Sequence, residues 1–161
     1  MANCSETDIA EAWGTCYATL SEAITAWWDI EIVKAGEYTL PVALTNVTSI
    51  KKANDVKWVV TLKVNAWSIE KGGEIISLTN DITFEWITLK IEGVHDWTHI
   101  GDKTNKIIMK DCTIDGVMHI RWDIDFNGCT FTTTVSRFVN IAWGWDAEYE
   151  INFKDSTLLE I

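Results

Sequence analysis

Apolar residues recur at helical spacing in only one part of the chain. Between Tyr17 and Trp28, in the run YATLSEAITAWW, Leu20, Ile24, Trp27 and Trp28 share one face and Ser21 and Glu22 lie off it. This spacing predicts a short amphipathic helix. From Asp29 to Leu40 apolar and polar residues alternate, and Gly36 marks a turn between two strands. No second helix is predicted from there to residue 161.

Four later segments repeat one pattern: ITFEWITL from Ile82, IIMKDCTI from Ile107, IDFNGCTF from Ile124 and INFKDSTL from Ile151. Each opens on Ile and closes on Thr followed by an apolar residue. The third position holds Phe84, Met109, Phe126 or Phe153, and the sixth holds Ile87, Cys112, Cys129 or Ser156. The openings lie 25, 17 and 27 residues apart, the length of one solenoid coil. A constant strand with variable loops predicts parallel strands stacked about 4.8 Å apart, with like side chains in columns.

These segments resemble the pectate-lyase-like right-handed parallel β-helices, whose coils read apolar-x-apolar, two polar residues, then Cys-Thr-Phe or similar. IVKAGEYTL (from Ile32) looks like a first coil after a capping helix, and NVTSIKKAN (from Asn46) like a second. The resemblance covers roughly residues 17 to 161 and implies an all-β fold. The expected architecture is a right-handed parallel β-helix of about five or six coils with an N-terminal capping α-helix. It forms a single domain over 1–161, with the N-terminal segment and helix at 1–28 and the coils at 29–161. Trp86, Trp122, Trp143 and Trp145 depart from the family by standing in or near turns that favour Gly or Asn. The hydrolytic relatives' signatures, Gly-His-Gly, Arg-Ile-Lys and adjacent aspartates, are absent.

Composition narrows the partners. A chain of 161 residues that is 47% hydrophobic, with one proline and nine glycines, builds one packed core. Its formal charge of -11 repels phosphate backbones and anionic lipid, which excludes nucleic acid as a partner. No run reaches the ~18 apolar residues of a membrane span, so no membrane insertion is expected. Ten tryptophans serve a core, a subunit interface or a sugar-stacking platform equally well.

Candidate chemistry is sparse. Between Met118 and Phe126, His119, Arg121, Asp123 and Asp125 alternate with apolar residues and would share one strand face. A cation, a base and two acids suit a uronate-type polysaccharide lyase, where calcium would be the cofactor. A solvated strand face has the same pattern. His95 and His99 flank Trp97, with Asp96 and Asp102 nearby, but the spacing matches no known ligand motif. Neither a metal site nor any other cofactor is expected. Cys112 and Cys129 read as inward column members, and Thr88, Thr113, Thr130 and Thr157 as a matching outward column, a row that some ice-binding solenoids also display. Cys4/Cys16 and Cys112/Cys129 are both bridgeable pairs, and Cys4/Cys16 is the disulfide candidate.

The last seven residues, DSTLLEI, carry neither a polar cap nor a covering helix, and an uncovered terminal coil exposes core and backbone edges. Leu158, Leu159 and Ile161, with Trp27 and Trp28, are therefore the expected assembly contacts. The leading expectation is a non-enzymatic, self-assembling solenoid, an extracellular or cell-surface structural subunit whose partner is itself as a homo-oligomer or filament. The alternative is a polysaccharide-binding module or lyase, with Trp97, Trp143 and Trp145 as stacking residues.

Overall fold

The computed structural model describes residues 4–26, 28–41, 43–65, 77–92, 99–100, 105–116, 118–120, 123–133, 139–141 and 150–160. A hairpin of β1 (Ala10–Ala12) and β2 (Thr15–Tyr17) opens the fold, followed by helix α1 (Leu20–Ala26). Strands then come in threes. The first set is β3 (Asp29–Ile32), β4 (Gly36–Thr39) and β5 (Ala43–Leu44); the second is β6 (Ser49–Lys52), β7 (Val60–Asn65) and β8 (Ser77–Leu78). The third is β9 (Ile82–Glu85), β10 (Thr88–Glu92) and β11 (His99–Ile100); the fourth is β12 (Ile107–Lys110), β13 (Thr113–Asp115) and β14 (Met118–Ile120). The fifth is β15 (Ile124–Asn127), β16 (Thr130–Thr133) and β17 (Val139–Ile141), and β18 (Ile151–Lys154) and β19 (Thr157–Glu160) complete the series.

The first member of every set joins one sheet, in the order β18-β15-β12-β9-β6-β3-β1-β2, and the second members form another, β19-β16-β13-β10-β7-β4. The third members pair as β11-β14-β17 and as β5-β8. Among the described residues every pairing between sets is parallel, and only β1 runs antiparallel, to both β2 and β3. The chain is thus mostly β, with stacked parallel strands and, among the described residues, one helix.

The register follows the repeated segments. Ile82, Ile107, Ile124 and Ile151 stand opposite one another, as do Thr88, Thr113, Thr130 and Thr157. Because side chains alternate across a strand, one column in each pair of columns turns inward. Ile30, Ile50, Phe84, Met109 and Phe126 form a column without exposure above 1%, and Leu62, Leu89, Ile114 and Phe131 a second with none above 2%.

The corners after the first strands repeat as well. Trp86, Asp111, Gly128 and Asp155 all have φ between 51° and 65°. The N–H of each of the first three donates to a carbonyl one set further on, at Lys110, Asn127 and Lys154. This left-handed residue turns the next one inward, to Ile87, Cys112 and Cys129, each 3% exposed or less. Glycine and Asp suit that backbone region; Trp86 occupies it against a cost of about 1 kcal/mol.

The N-terminal end differs from expectation. The helix begins at Leu20, not Tyr17, because Thr19 and Glu22 form a capping box: Glu22 N–H donates to Thr19 Oγ1 at 3.2 Å and Thr19 N–H to Glu22 Oε2 at 3.1 Å. Tyr17 belongs to β2. The helix also stops at Ala26, short of Trp28, which is 59% exposed. Its buried side chains, Leu20, Ala23 and Ile24, join the core beside Ile30 and Ile32.

The polar segment before it is held rather than loose. Cys4 and Cys16 are disulfide-bonded with their Cα atoms 5.5 Å apart, and Lys34 donates to the Glu6 carbonyl at 2.8 Å. Cys112 and Cys129 are free thiols buried next to each other in their column. The hydrogen bond to Cys129 and burial push the Cys112 thiol up, so it stays protonated and unreactive. Both free thiols are buried out of reach of reagent, Cys112 at 2% and Cys129 at 1% exposure, so iodoacetamide should label no cysteine in the native protein, Cys4 and Cys16 after mild reduction, and Cys112 and Cys129 only on unfolding. Mass spectrometry of the digests checks this.

Candidate functional site

The row His119, Arg121, Asp123 and Asp125 does not form one strand face. His119 lies in β14, paired with His99 and Asn140 in the three-stranded sheet, whereas Asp125 lies in β15 of the eight-stranded one. The chain changes sheet between them, and Arg121 lies outside the described residues. The clean alternation across Met118 to Phe126 came from two strands read as one.

Both aspartates are engaged in holding neighbouring strands. Asp123 Oδ1 accepts the Glu150 N–H at 2.8 Å, just as Asp81 Oδ1 accepts the Lys106 N–H at 2.7 Å. Asp125 pairs with Lys106 at 2.8 Å and accepts from the Asn152 amide at 2.9 Å. Burial works to raise the Asp125 pKa, but Lys106 and Asn152 outweigh it and hold the carboxyl below its ordinary value of 3.8. A depressed carboxylate stabilises the fold above its unfolded pKa and loses that contribution as pH falls through the lower folded value. Asp125→Asn should therefore lower the melting temperature slightly at neutral pH, and the gap to the native chain should close below about pH 4. Melting curves across pH 2–8 measure this.

Of the expected assembly contacts, Leu158 is 44% and Leu159 48% exposed. Trp27 and Ile161 lie outside the described residues, as do the stacking candidates Trp97, Trp143 and Trp145, and His95, Asp96 and Asp102. Leu158 continues the column whose previous member, Phe131, is 2% exposed. Phe153, not anticipated as a contact, continues the other column at 50% exposure, its ring stacked on Phe126 at 5.0 Å between centroids.

The outer face of the second sheet carries Thr61, Thr88, Thr113, Thr130 and Thr157 in register. The neighbouring column contains Lys63, Lys90 and Asp115, with Glu37 bridging the two lysines. This is a charged face and no continuous lattice of hydroxyls.

The outer face of the eight-stranded sheet holds an open groove of about 860 Å³. It crosses β1, β3, β6, β9 and β12, a length of roughly 19 Å at one strand spacing per step. One outer column runs Glu31, Lys51, Glu85 and Lys110, with Glu11 opposite Glu31. Lys51 meets Glu31 at 2.7 Å; that hydrogen bond raises its pKa, with weaker help from Glu85 and Asp29. Asp29 Oδ1 accepts the hydroxyls of Thr48 and Ser49, both at 2.7 Å.

Trp13 closes one end of the groove. It and Gly14 form the two-residue β1–β2 turn, with φ of 51° and 80°. Positive φ at both positions marks a type I′ turn, where Asn-Gly is the preferred pair. Trp13 is nonetheless 76% exposed, so its indole adds little to the core while its backbone conformation costs about 1 kcal/mol. Glu11, only 9% exposed, supports the turn by accepting the Gly14 N–H on Oε1 at 2.7 Å. Among the described residues no donor reaches its Oε2.

Sequence reasoning missed this groove because its column is spread over four strands of unequal spacing. The signal was present in the repeat itself: the residue after each third-position core residue is Glu85, Lys110, Asn127 or Lys154. Comparison with protein-family models, with curated proteins and with solved structures gives no match for this chain.

Proposed function

We propose that the chain is a non-enzymatic structural β-solenoid, a right-handed parallel β-helix of six coils that pairs with a second copy through its open end. The repeated order of strands supports the coil description, with each set of strands as one turn. Right-handedness follows from the strong preference of parallel crossovers within one sheet.

The carrying observation is exposure. Phe153 and Leu158 are 50% and 44% exposed, while their column neighbours Phe126 and Phe131 are at 0% and 2%. These two side chains close the inward columns beside the edges of β18 and β19, which no other strand of the described residues pairs, while Leu159 adds an exposed apolar side chain on the outer face of β19. A second copy is the favoured occupant because like surfaces satisfy each other in a two-fold arrangement. Head-to-tail stacking is disfavoured by the other end, where the antiparallel hairpin and α1 close the eight-stranded sheet. A closed dimer, rather than a filament, is the expected assembly. Placement at the cell exterior is supported by the Cys4–Cys16 disulfide.

Sedimentation velocity over a dilution series tests the pairing. The native chain should sediment as a dimer, and Phe153→Lys with Leu158→Lys as a folded monomer. Trp58→Lys, at a 78% exposed site away from this end, should remain dimeric. A native monomer at every concentration, or a dimer unaffected by the paired lysines, would refute the proposal.

A further inference from the structure

We propose that the groove from the Trp13 turn to Lys110 binds an amino-sugar polysaccharide, an extended glycan bearing free ammonium groups. This site stands apart from the pairing end: the groove stops at β12, two strands of the same sheet short of β18.

The shape selects an extended ligand. The groove is open along its length and crosses five strands, which suits a chain lying across the sheet. Trp13 offers a flat apolar platform at one end, the surface on which a pyranose ring stacks. Its exposure and its left-handed backbone together mark a residue that local folding would have replaced by Asn.

The charge selects the ligand's sign. Glu11, Asp29, Glu31 and Glu85 face two lysines, and Lys51 is already engaged by Glu31. A uronate or sulfated glycan would meet net repulsion here, in a chain carrying -11 overall. Glu11 supplies an independent reason for a cation. The residue is only 9% exposed and lines the groove; one carboxylate oxygen accepts the Gly14 N–H, and no donor of the described residues reaches the other. An acceptor left over on the wall of a groove favours a ligand that brings a donor. Glu31 and Glu85 stand two strands apart in one column, about 9.6 Å. That separation is comparable to the disaccharide repeat of a flat β-linked glycan, so ammonium groups on alternate sugars would meet successive carboxylates.

Titration of the whole chain with a glucosamine hexasaccharide, followed by tryptophan fluorescence and calorimetry, tests the site. The hexasaccharide should bind with a change in tryptophan emission and weaken as salt rises. Its N-acetylated form should bind about tenfold more weakly, and oligogalacturonate not at all. Trp13→Asn should lose about tenfold in affinity while its melting temperature stays level or rises, separating loss of the platform from loss of fold. Glu85→Gln should weaken binding severalfold, and Asp55→Asn, outside the groove, should leave it unchanged. No binding of the hexasaccharide, equal binding of the acetylated form, tighter binding of a lysine hexapeptide, or native affinity in Trp13→Asn would overturn the proposal.

Discussion

Phe126→Ala is expected to lower the unfolding free energy by about 4 kcal/mol, the cost of a large cavity in a close-packed core. Phe126 has no exposed surface and packs in a cluster with the rings of Phe131 and Phe153. It meets Phe131 edge-on at 4.9 Å and stacks on Phe153 at 5.0 Å, so truncation leaves two aromatic neighbours facing a void. Parallel strands above and below fix the backbone, which limits how far the cavity can collapse. Phe153→Ala, one strand further along the same column and half exposed, should cost about half as much. Urea unfolding of both variants, at concentrations low enough to keep the chain monomeric, measures the pair. Equal losses would mean that the column does not deepen inward from β18 as described.

Gly116→Ala is expected to cost about 3 kcal/mol without removing any contact. Gly116 has φ of +113°, and a Cβ placed there would stand 2.7 Å from the Ile91 carbonyl oxygen and 3.1 Å from the Ile91 Cβ. The oxygen belongs to backbone in the adjacent strand β10, and Gly116 N–H is itself bonded to the Thr132 carbonyl, so neither side can move freely. Gly14→Ala separates strain from clash. Its φ is +80° and nothing lies within 4 Å of the added carbon, so its cost should be about 1 kcal/mol. Thermal or chemical melts should rank the two in that order.

Much of the strand arrangement was legible in the sequence because each repeated segment carries its own register. Ile82, Ile107, Ile124 and Ile151 are one residue type at one position, and column stacking requires such likeness between neighbours. The earlier strands were harder to align, since Ile50 and Phe84 face each other across 34 residues. The hairpin at Ala10 to Tyr17 escaped notice because its turn is Trp13-Gly14, a pair that carries only half of the usual hairpin signal. The helix start was readable from Thr19 and Glu22, but apolar spacing alone drew it back to Tyr17.

The candidate site was less legible than the fold. His119 to Asp125 alternates well enough to pass for one strand, but β14 and β15 belong to different sheets, which separates the histidine from the aspartates. The groove residues, in contrast, are brought together entirely by stacking. Glu31, Lys51 and Glu85 are 20 and 34 residues apart and become neighbours only through the ladder. Nothing local to any one of them marks it as part of a surface.

Pulsed electron–electron distance measurement between spin labels tests the proposed end-to-end pairing most directly. Labels would be attached at Asn152→Cys on β18 and, in a separate sample, at Thr15→Cys on the hairpin, in a background with Cys4 and Cys16 replaced by Ser. Pairing through the open ends predicts a short intermolecular distance for Asn152→Cys, under about 20 Å, and one of roughly 70 Å for Thr15→Cys, two full stacks of strands apart at 4.8 Å per step. Absence of any intermolecular distance, or a short one between an Asn152→Cys label and a Thr15→Cys label in a mixed sample, would contradict it.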